Sequence, residues 1–309
     1  MRPSSFLAQC WLRMGMAAMP AGFVLLWSTG FIVAKFGLPY APPLTFLLLR
    51  FSLVVVLLLP VVSCLHVPWP RGKILHIALA GILLHAGYVG GVWSAIGLGM
   101  PAGLSALIVG MQPVLTAACA PLVGELVRRQ QWLGLALGLL GVAVVVASKL
   151  TVHALNWPSV VLSVFALLSI TAGTLYQKRF CAQFDLRSGT VIQFAASALV
   201  LLPIAVYVED FGWRMRHVHW QLPFVGALAW SVLGLSIGAI FCLFALIRRS
   251  AATVVTSLLY LTPPTTALMA WLCFGETFSL AGWGGMLLAL IGVLLVMKKP
   301  AVAAAYIDV

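Results

Sequence analysis

The chain is a succession of apolar runs about 20 residues long with almost no charge inside them, and that pattern decides the fold class. Hydrocarbon offers no water to pair with backbone N–H and C=O groups. A spanning segment must therefore satisfy them internally, as a helix or within a closed barrel. Barrel strands read as alternating segments of about ten residues. The runs here are longer and do not alternate, so helices are the solution. Hydrophobic residues make up 63% of the sequence and charged residues 8%, against roughly half and a quarter in a soluble domain. No soluble core would hide that much apolar surface.

The runs predict ten spans, near 15–36, 44–65, 74–97, 102–124, 130–148, 157–177, 188–208, 223–246, 252–274 and 280–297. Connections are short. The longest, about 209–222, carries Glu209, Asp210, Trp213, Arg214, Arg216, His217, His219 and Trp220, and its tryptophans suit a membrane interface. Arg2 and Arg13 precede the first run and mimic a secretory signal. The run from Met14 to Phe36 is too long for a signal core and reads as an uncleaved span.

The net charge of +12 is spread as basic pairs between the runs: Arg128-Arg129, Lys178-Arg179, Arg248-Arg249 and Lys298-Lys299. That distribution points to topology rather than to a nucleic-acid partner. With the N-terminus in the cytoplasm, thirteen Lys and Arg fall on the inner side and four (Lys35, Lys149, Arg214, Arg216) on the outer side, with Arg50 inside a span. Both termini are expected to be cytoplasmic. The organisation expected is an N-terminal segment at 1–14, five-helix units at 15–150 and 157–298, and a tail at 299–309.

The two units repeat one another. A shift of 151 pairs Pro113 with Pro264, Gly124-Glu125 with Gly275-Glu276, Trp132 with Trp283, Gly134 with Gly285 and Gly141-Val142 with Gly292-Val293. Nearer the start of each unit, a shift of 143 pairs Lys35 with Lys178, Phe51 with Phe194 and Leu58-Leu59-Pro60 with Leu201-Leu202-Pro203. Five spans is an odd number, so the second unit enters the membrane inverted. Inverted repeats about an in-plane pseudo-twofold are a transporter architecture.

The string LLWSTGFIVAKFGLPYAPPLTFLLLRF at 25–51, the two Pro-to-Gly-Glu blocks and the 5+5 arrangement resemble EamA-type members of the drug/metabolite transporter superfamily, over about residues 17–298. The resemblance implies ten helices around a central cavity lined by helices 1, 3, 4, 6, 8 and 9. It also implies a bacterial inner-membrane location and export of amino acids or related metabolites. The sequence departs from symmetry at one point: Gln193 stands where the first unit has Arg50.

Candidate site residues follow from polar groups and helix breaks at membrane depth. Pro113 and Pro263-Pro264 fall mid-span and free the carbonyls of Val109, Leu259 and Tyr260. Paired interruptions in two repeats point to a binding site, whereas a packing kink is the structural alternative. Gln112, Tyr260 and Thr262 flank these breaks. His85 lies mid-span beside Tyr88 and Trp93. It reads either as a substrate contact or proton relay, or as a neutral histidine bonded to a neighbouring helix. Trp27, Ser28, Thr171, Tyr176 and Ser236 add polar or aromatic surface to the helices that the resemblance places around the cavity. Arg50, one turn inside helix 2, either snorkels or pairs with a carboxylate or helix end. Glu125 and Glu276 stand before helix starts, where capping competes with proton coupling as their role. The small-residue series Gly87/Gly91, Gly134/Gly138 and Gly234/Gly238 mark close helix contacts, with a homodimer surface on helices 5 and 10 as one use.

Other chemistry finds no footing. The six cysteines form no CxxC and read as small buried hydrophobes. There is no nucleotide-binding Gly-Lys loop and no metal-ligand cluster, so neither enzyme nor cofactor is expected. The reading is an all-α integral membrane transporter of small molecules working by alternating access, with membrane lipids as its surroundings. A lipid-handling, flippase-like protein is the alternative.

Overall fold

The computed structural model describes residues 6–100, 105, 108–147, 157–181, 184–211, 218, 220–274 and 279–297. These residues are helical almost throughout, and no strand occurs among them. In chain order the helices are α1 (Phe6–Gly37), α2 (Pro43–Cys64), α3 (Arg71–Gly97), α4 (Gln112–Val123), α5 (Arg129–Ala147), α6 (Trp157–Phe180), α7 (Leu186–Glu209), α8 (Leu222–Arg249), α9 (252–274) and α10 (Leu280–Met297). Six of them, α2, α3, α6, α7, α8 and α10, are long and apolar enough to cross a bilayer. Glu276, residues 1–5 and the tail at 299–309 lie outside the described residues, and 6–14, expected as an N-terminal segment before the first span, are helical as the start of α1.

Helix α2 shows how the elements sort themselves. Pro43 sits in its first turn, where the missing N–H costs nothing. Leu47, Phe51, Val54, Leu58 and Val62 recur every three or four residues and are buried, while Val56, Leu57, Leu59 and Val61 on the other face are exposed. Both faces are apolar, so the outward one requires lipid. The same holds elsewhere: Leu75, Tyr207, Leu222 and Leu280 are each more than four-fifths exposed.

Packing pairs an element of the first unit with one of the second: α5 with α10, α2 with α7, α3 with α6 and α1 with α8. Each pair is antiparallel. In α3 and α6, Gly91 lies on Ala166 and Gly173 on Leu84, while in α1 and α8 the Trp230 indole donates to Thr29 and Gly238 faces Leu26. In the α2–α7 pair Leu44 meets Glu209 at one end, while Ser188 at the start of α7 meets Pro68 just beyond α2.

The α5–α10 contact is the tightest. A Cβ on Gly141 would lie 2.6 Å from the Gly285 carbonyl, and one on Gly292 would lie 2.6 Å from the Gly134 carbonyl. These contacts are reciprocal: the shift of 151 that turns Gly141 into Gly292 turns Gly134 into Gly285. Phe51 and Phe194, matched by the shift of 143, touch each other with ring centroids 5.2 Å apart. The glycines of α5 therefore serve a contact inside the chain. Gly138 accommodates the Tyr260 ring.

Two ends are distinguishable. At one, α1 and α3 finish and α2 and α8 begin. At the other, α6 and α8 finish, α7 and α9 begin, and the basic pairs Arg128-Arg129, Lys178-Arg179 and Arg248-Arg249 gather with Arg187. At this basic end Arg187 grips Asp185 through two hydrogen bonds of 3.0 and 2.9 Å, which holds the Asp185 carboxyl below its usual range.

Gly141→Leu is expected to lower unfolding stability by about 3 kcal/mol or more, because backbone faces backbone there. Gly284→Leu, with nothing within 4 Å of its Cβ position, is expected to leave it unchanged. Thermal unfolding of the detergent-solubilised protein reads both.

Candidate functional site

A cavity of about 60 Å³ lies among α1, α2, α3 and α8. Its walls include Trp27, Arg50, His85, Tyr88, Trp93 and Leu235. Helix α3 enters it through a π-helical stretch, Ile82–Gly87, and α8 carries another, Ser231–Ala239, at the equivalent place. Wide turns of this kind shift the register of side chains and are frequent at functional sites. Here they carry His85 and Ser236, which the shift of 151 relates to each other.

Each π stretch receives a polar side chain from the second helix of the opposite unit. Arg50 of α2 donates from Nε to Ser236 Oγ at 2.8 Å. Gln193 of α7 places Oε1 3.4 Å from His85 Nε2, and its Nε2 donates to Gln177 Oε1 at 3.0 Å. With the Gln193 amide in this orientation its oxygen accepts, and Nε2 of His85 is the donor. The His85 ring stacks on Phe194 at 4.2 Å with planes 13° apart. A proton relay needs a second titratable group in hydrogen-bond reach. Among the described residues His85 has an amide there instead.

The aromatic residues form two groups. Trp27 and Tyr88 stack with centroids 6.2 Å apart and planes 6° apart, Phe23 packs on Trp27 at 5.1 Å, and Phe46 packs on Trp93 at 5.0 Å. Trp27, His85, Tyr88, Trp93 and Arg50 thus come together as one site.

The other candidates lie elsewhere. Gln112 is buried and donates to Thr174 Oγ1 at 3.2 Å, tying α4 to α6. Tyr260 is fully buried against Gly138 of α5, because the narrow turn Leu258–Leu261 swings it away from the cavity. Thr262 is buried, and its carbonyl lies 3.5 Å from Ser28 Oγ across the α1–α9 contact. Tyr176 is near the basic end, its hydroxyl 2.6 Å from His76 Nδ1. The helix breaks are present: a turn at Gly110–Met111 precedes α4, which carries Pro113 in its first turn, and the Leu258–Leu261 turn immediately precedes Thr262 and Pro264.

Glu125 works as a cap. Both its carboxylate oxygens accept from the Ala252 N–H at 2.9 Å, at the start of α9. Lys178 Nζ stands 3.8 Å from Glu125 Oε1 and donates to the carbonyls of Ile247 and Ser250, where α8 ends. Corner and helix end are clasped across the two units, at the end of the molecule opposite the α1 and α3 termini that flank the cavity. A second cap escaped the sequence reading: Glu209 accepts from the N–H groups of Leu44 and Thr45 at 2.9 and 2.7 Å and from Thr45 Oγ1 at 3.0 Å. The available signal was the start of α2 at Pro42-Pro43, which brings no capping side chain of its own.

A multi-helical bundle with a small polar and aromatic cavity between its halves is the frame of a membrane transporter. The profile of the EamA-like transporter family matches residues 14–147 and 157–298, and the chain belongs to that family, within the drug/metabolite transporter superfamily. It is similar to the uncharacterized inner membrane transporter YedA of Escherichia coli strain K12, 27% identical over 290 residues, covering 90% of this chain and 92% of that one. It also resembles a probable amino-acid metabolite efflux pump of Salmonella typhimurium strain LT2, 30% identical over 182 residues, covering 58% of this chain and 59% of the relative. A solved crystal structure, 18% identical, superposes with a TM-score of 0.75 over 90% of this chain and 95% of that one, which shows the fold. The chain is thus a multi-pass inner-membrane transporter.

Glu125→Ala removes a cap and a clasp and is expected to cost about 2 kcal/mol. Glu125→Gln, which keeps an acceptor, is expected to cost about half as much. Unfolding midpoints in detergent order the three proteins, and equal midpoints would refute the cap.

Proposed function

We propose that this protein exports amino acids or related small metabolites by alternating access between two inverted five-helix units, with ten crossings and both termini in the cytoplasm. The observation that carries the reading is the cavity itself. It is walled by α1–α3 and α8, drawn from both units, and lies on the opposite side of the bundle from the Glu125–Lys178 clasp.

Three features support it. The cross-unit pairs α5–α10, α2–α7, α3–α6 and α1–α8 are what an exchange of the two units predicts. Arg50 on Ser236 and Gln193 on His85 repeat one geometry with exchanged partners. The gathering of basic pairs at the clasped end matches a cytoplasmic face. In this arrangement the clasp closes the inner end while the cavity faces outward, and release of Lys178 from the end of α8 begins the reverse state. The amino-acid class rests on the relative named as a probable amino-acid metabolite efflux pump.

A second reading, lipid handling, draws on a lateral groove of about 470 Å³ between α4 and α6, lined by Leu115, Leu122, Leu168, Leu175 and Phe180 with Arg179 near the basic end. The groove is mostly apolar, and its polar members are engaged within the protein: Thr171 with the Leu167 carbonyl, Tyr176 with His76 and Arg179 with the Leu122 carbonyl, so solute transport leads.

The test is uptake and efflux of a mixed pool of labelled amino acids in proteoliposomes, with and without a pH gradient. Transport of a pool member is expected, with loss of at least tenfold in Val92→Trp, which fills the cavity. Folded protein that moves no pooled solute yet scrambles a fluorescent phospholipid would replace this reading with the second.

A further inference from the structure

Resting on the reading of the cavity as the transport site, we infer that Arg50 is the carboxylate clamp of that site and restricts the substrate to solutes carrying a carboxylate. Arg50 is 6% exposed, on the second turn of α2, at membrane depth. A guanidinium does not shed its proton in a protein. A buried charge persists only with a partner, because its desolvation costs several kcal/mol. The partner that the protein supplies is slight: one neutral hydroxyl, Ser236 Oγ, on Nε. The Phe51 ring lies 5.9 Å from Cζ, at the far limit of a cation–π contact.

No carboxylate among the described residues lies within 4 Å of Arg50. Three of the four acids among the described residues have other tasks: Glu125 caps α9, Asp185 holds Arg187 and Glu209 caps α2, while the fourth, Asp210, stands at the C-terminal end of α7. The terminal Nη groups of Arg50, which offer the fork that matches a carboxylate in two parallel hydrogen bonds, find no described protein acceptor, and the residue lines the cavity. The site thus carries one positive charge in excess, and an anionic group from the substrate balances it. Ser236 holds Nε so that the fork is presented rather than mobile.

The remaining lining fits the rest of such a solute. Trp27, Tyr88 and Trp93 offer aromatic faces, which accept an apolar side group and, through the ring quadrupole, an ammonium. The opposite unit supplies an amide at the matching position, Gln193, which is already engaged by His85 and Gln177. Charge recognition is therefore one-sided: a single fork binds a single carboxylate. A purely cationic solute meets Arg50 with no compensating carboxylate among the described residues.

The experiment compares leucine, its desamino analogue 4-methylpentanoate, leucinamide and 3-methylbutylamine as competitors of the labelled amino-acid pool in proteoliposomes. The proteins are wild type, Arg50→Lys, Arg50→Gln and Val92→Trp, each checked for monodisperse elution. The two carboxylates are expected to compete at least tenfold better than leucinamide and the amine. Arg50→Gln is expected to lose at least tenfold in transport and to lose that discrimination, while Arg50→Lys retains part of both. A wild type that binds leucinamide as well as leucine overturns the clamp and needs no variant to fold. So does an Arg50→Gln protein that keeps the wild-type discrimination. If Val92→Trp transports normally, the cavity reading itself fails. If Val92→Trp is dead while Arg50→Gln transports leucine normally, only the clamp fails.

Discussion

Everything in this molecule follows from the requirement that backbone polar groups in hydrocarbon be satisfied by the chain itself. Helices meet it along their length and leave it unmet at their ends. The sequence is poor in helix-capping side chains, and the gap is filled from a distance. The carboxylate of Glu209, at the end of α7, serves the first turn of α2, and Glu125, at the corner before α5, serves the first turn of α9. Lys178 answers the carbonyls at the end of α8. The few charged residues therefore hold helix ends to one another, and the helix order around the cavity depends on those joints.

Arg50 departs from that economy. The charged groups of the two distant caps and of the clasp satisfy backbone or pair with an opposite charge, whereas Arg50 donates to one serine hydroxyl. In a protein with 8% charged residues, a guanidinium at membrane depth is a functional candidate by default. The carboxylate reading gives that group a partner, and it explains why the repeat breaks its symmetry at residues 50 and 193.

Much of this was legible in the sequence. Run length gave the helices, the basic pairs gave a polarised bundle, and the shifts of 143 and 151 related residues that the structure brings to cross-unit contacts: Phe51 meets Phe194, and the contact of Gly141 with Gly285 is the counterpart of that of Gly292 with Gly134. Trp27, His85, Tyr88 and Trp93 were recognisable because aromatic and polar groups at membrane depth are conspicuous. What stayed hidden was direction. In a helix that is apolar on all sides, periodicity does not separate the lipid face from the partner face. Nothing marked Tyr260 as turning onto Gly138, or Gln112 as bonding α6 rather than facing the cavity. The π stretches in α3 and α8 were equally invisible, since an inserted residue leaves no mark in composition. Arg50 was visible as a candidate for coupling or capping and not as a wall of the cavity, because its partner Ser236 lies far along the chain.

The pairing of α5 with α10, α2 with α7, α3 with α6 and α1 with α8 also bears on biosynthesis. Almost every helix of the first unit must wait for a partner that has not yet been translated. During that interval the glycine surface of α5 and the open start of α2 have no protein to rest against, only lipid and one another. The first unit emerges as an unfinished half rather than a folded intermediate. Assembly becomes cooperative only as the second unit inserts, and a chain interrupted at the ribosome after α5 presents to membrane quality control an unmistakably orphaned subunit.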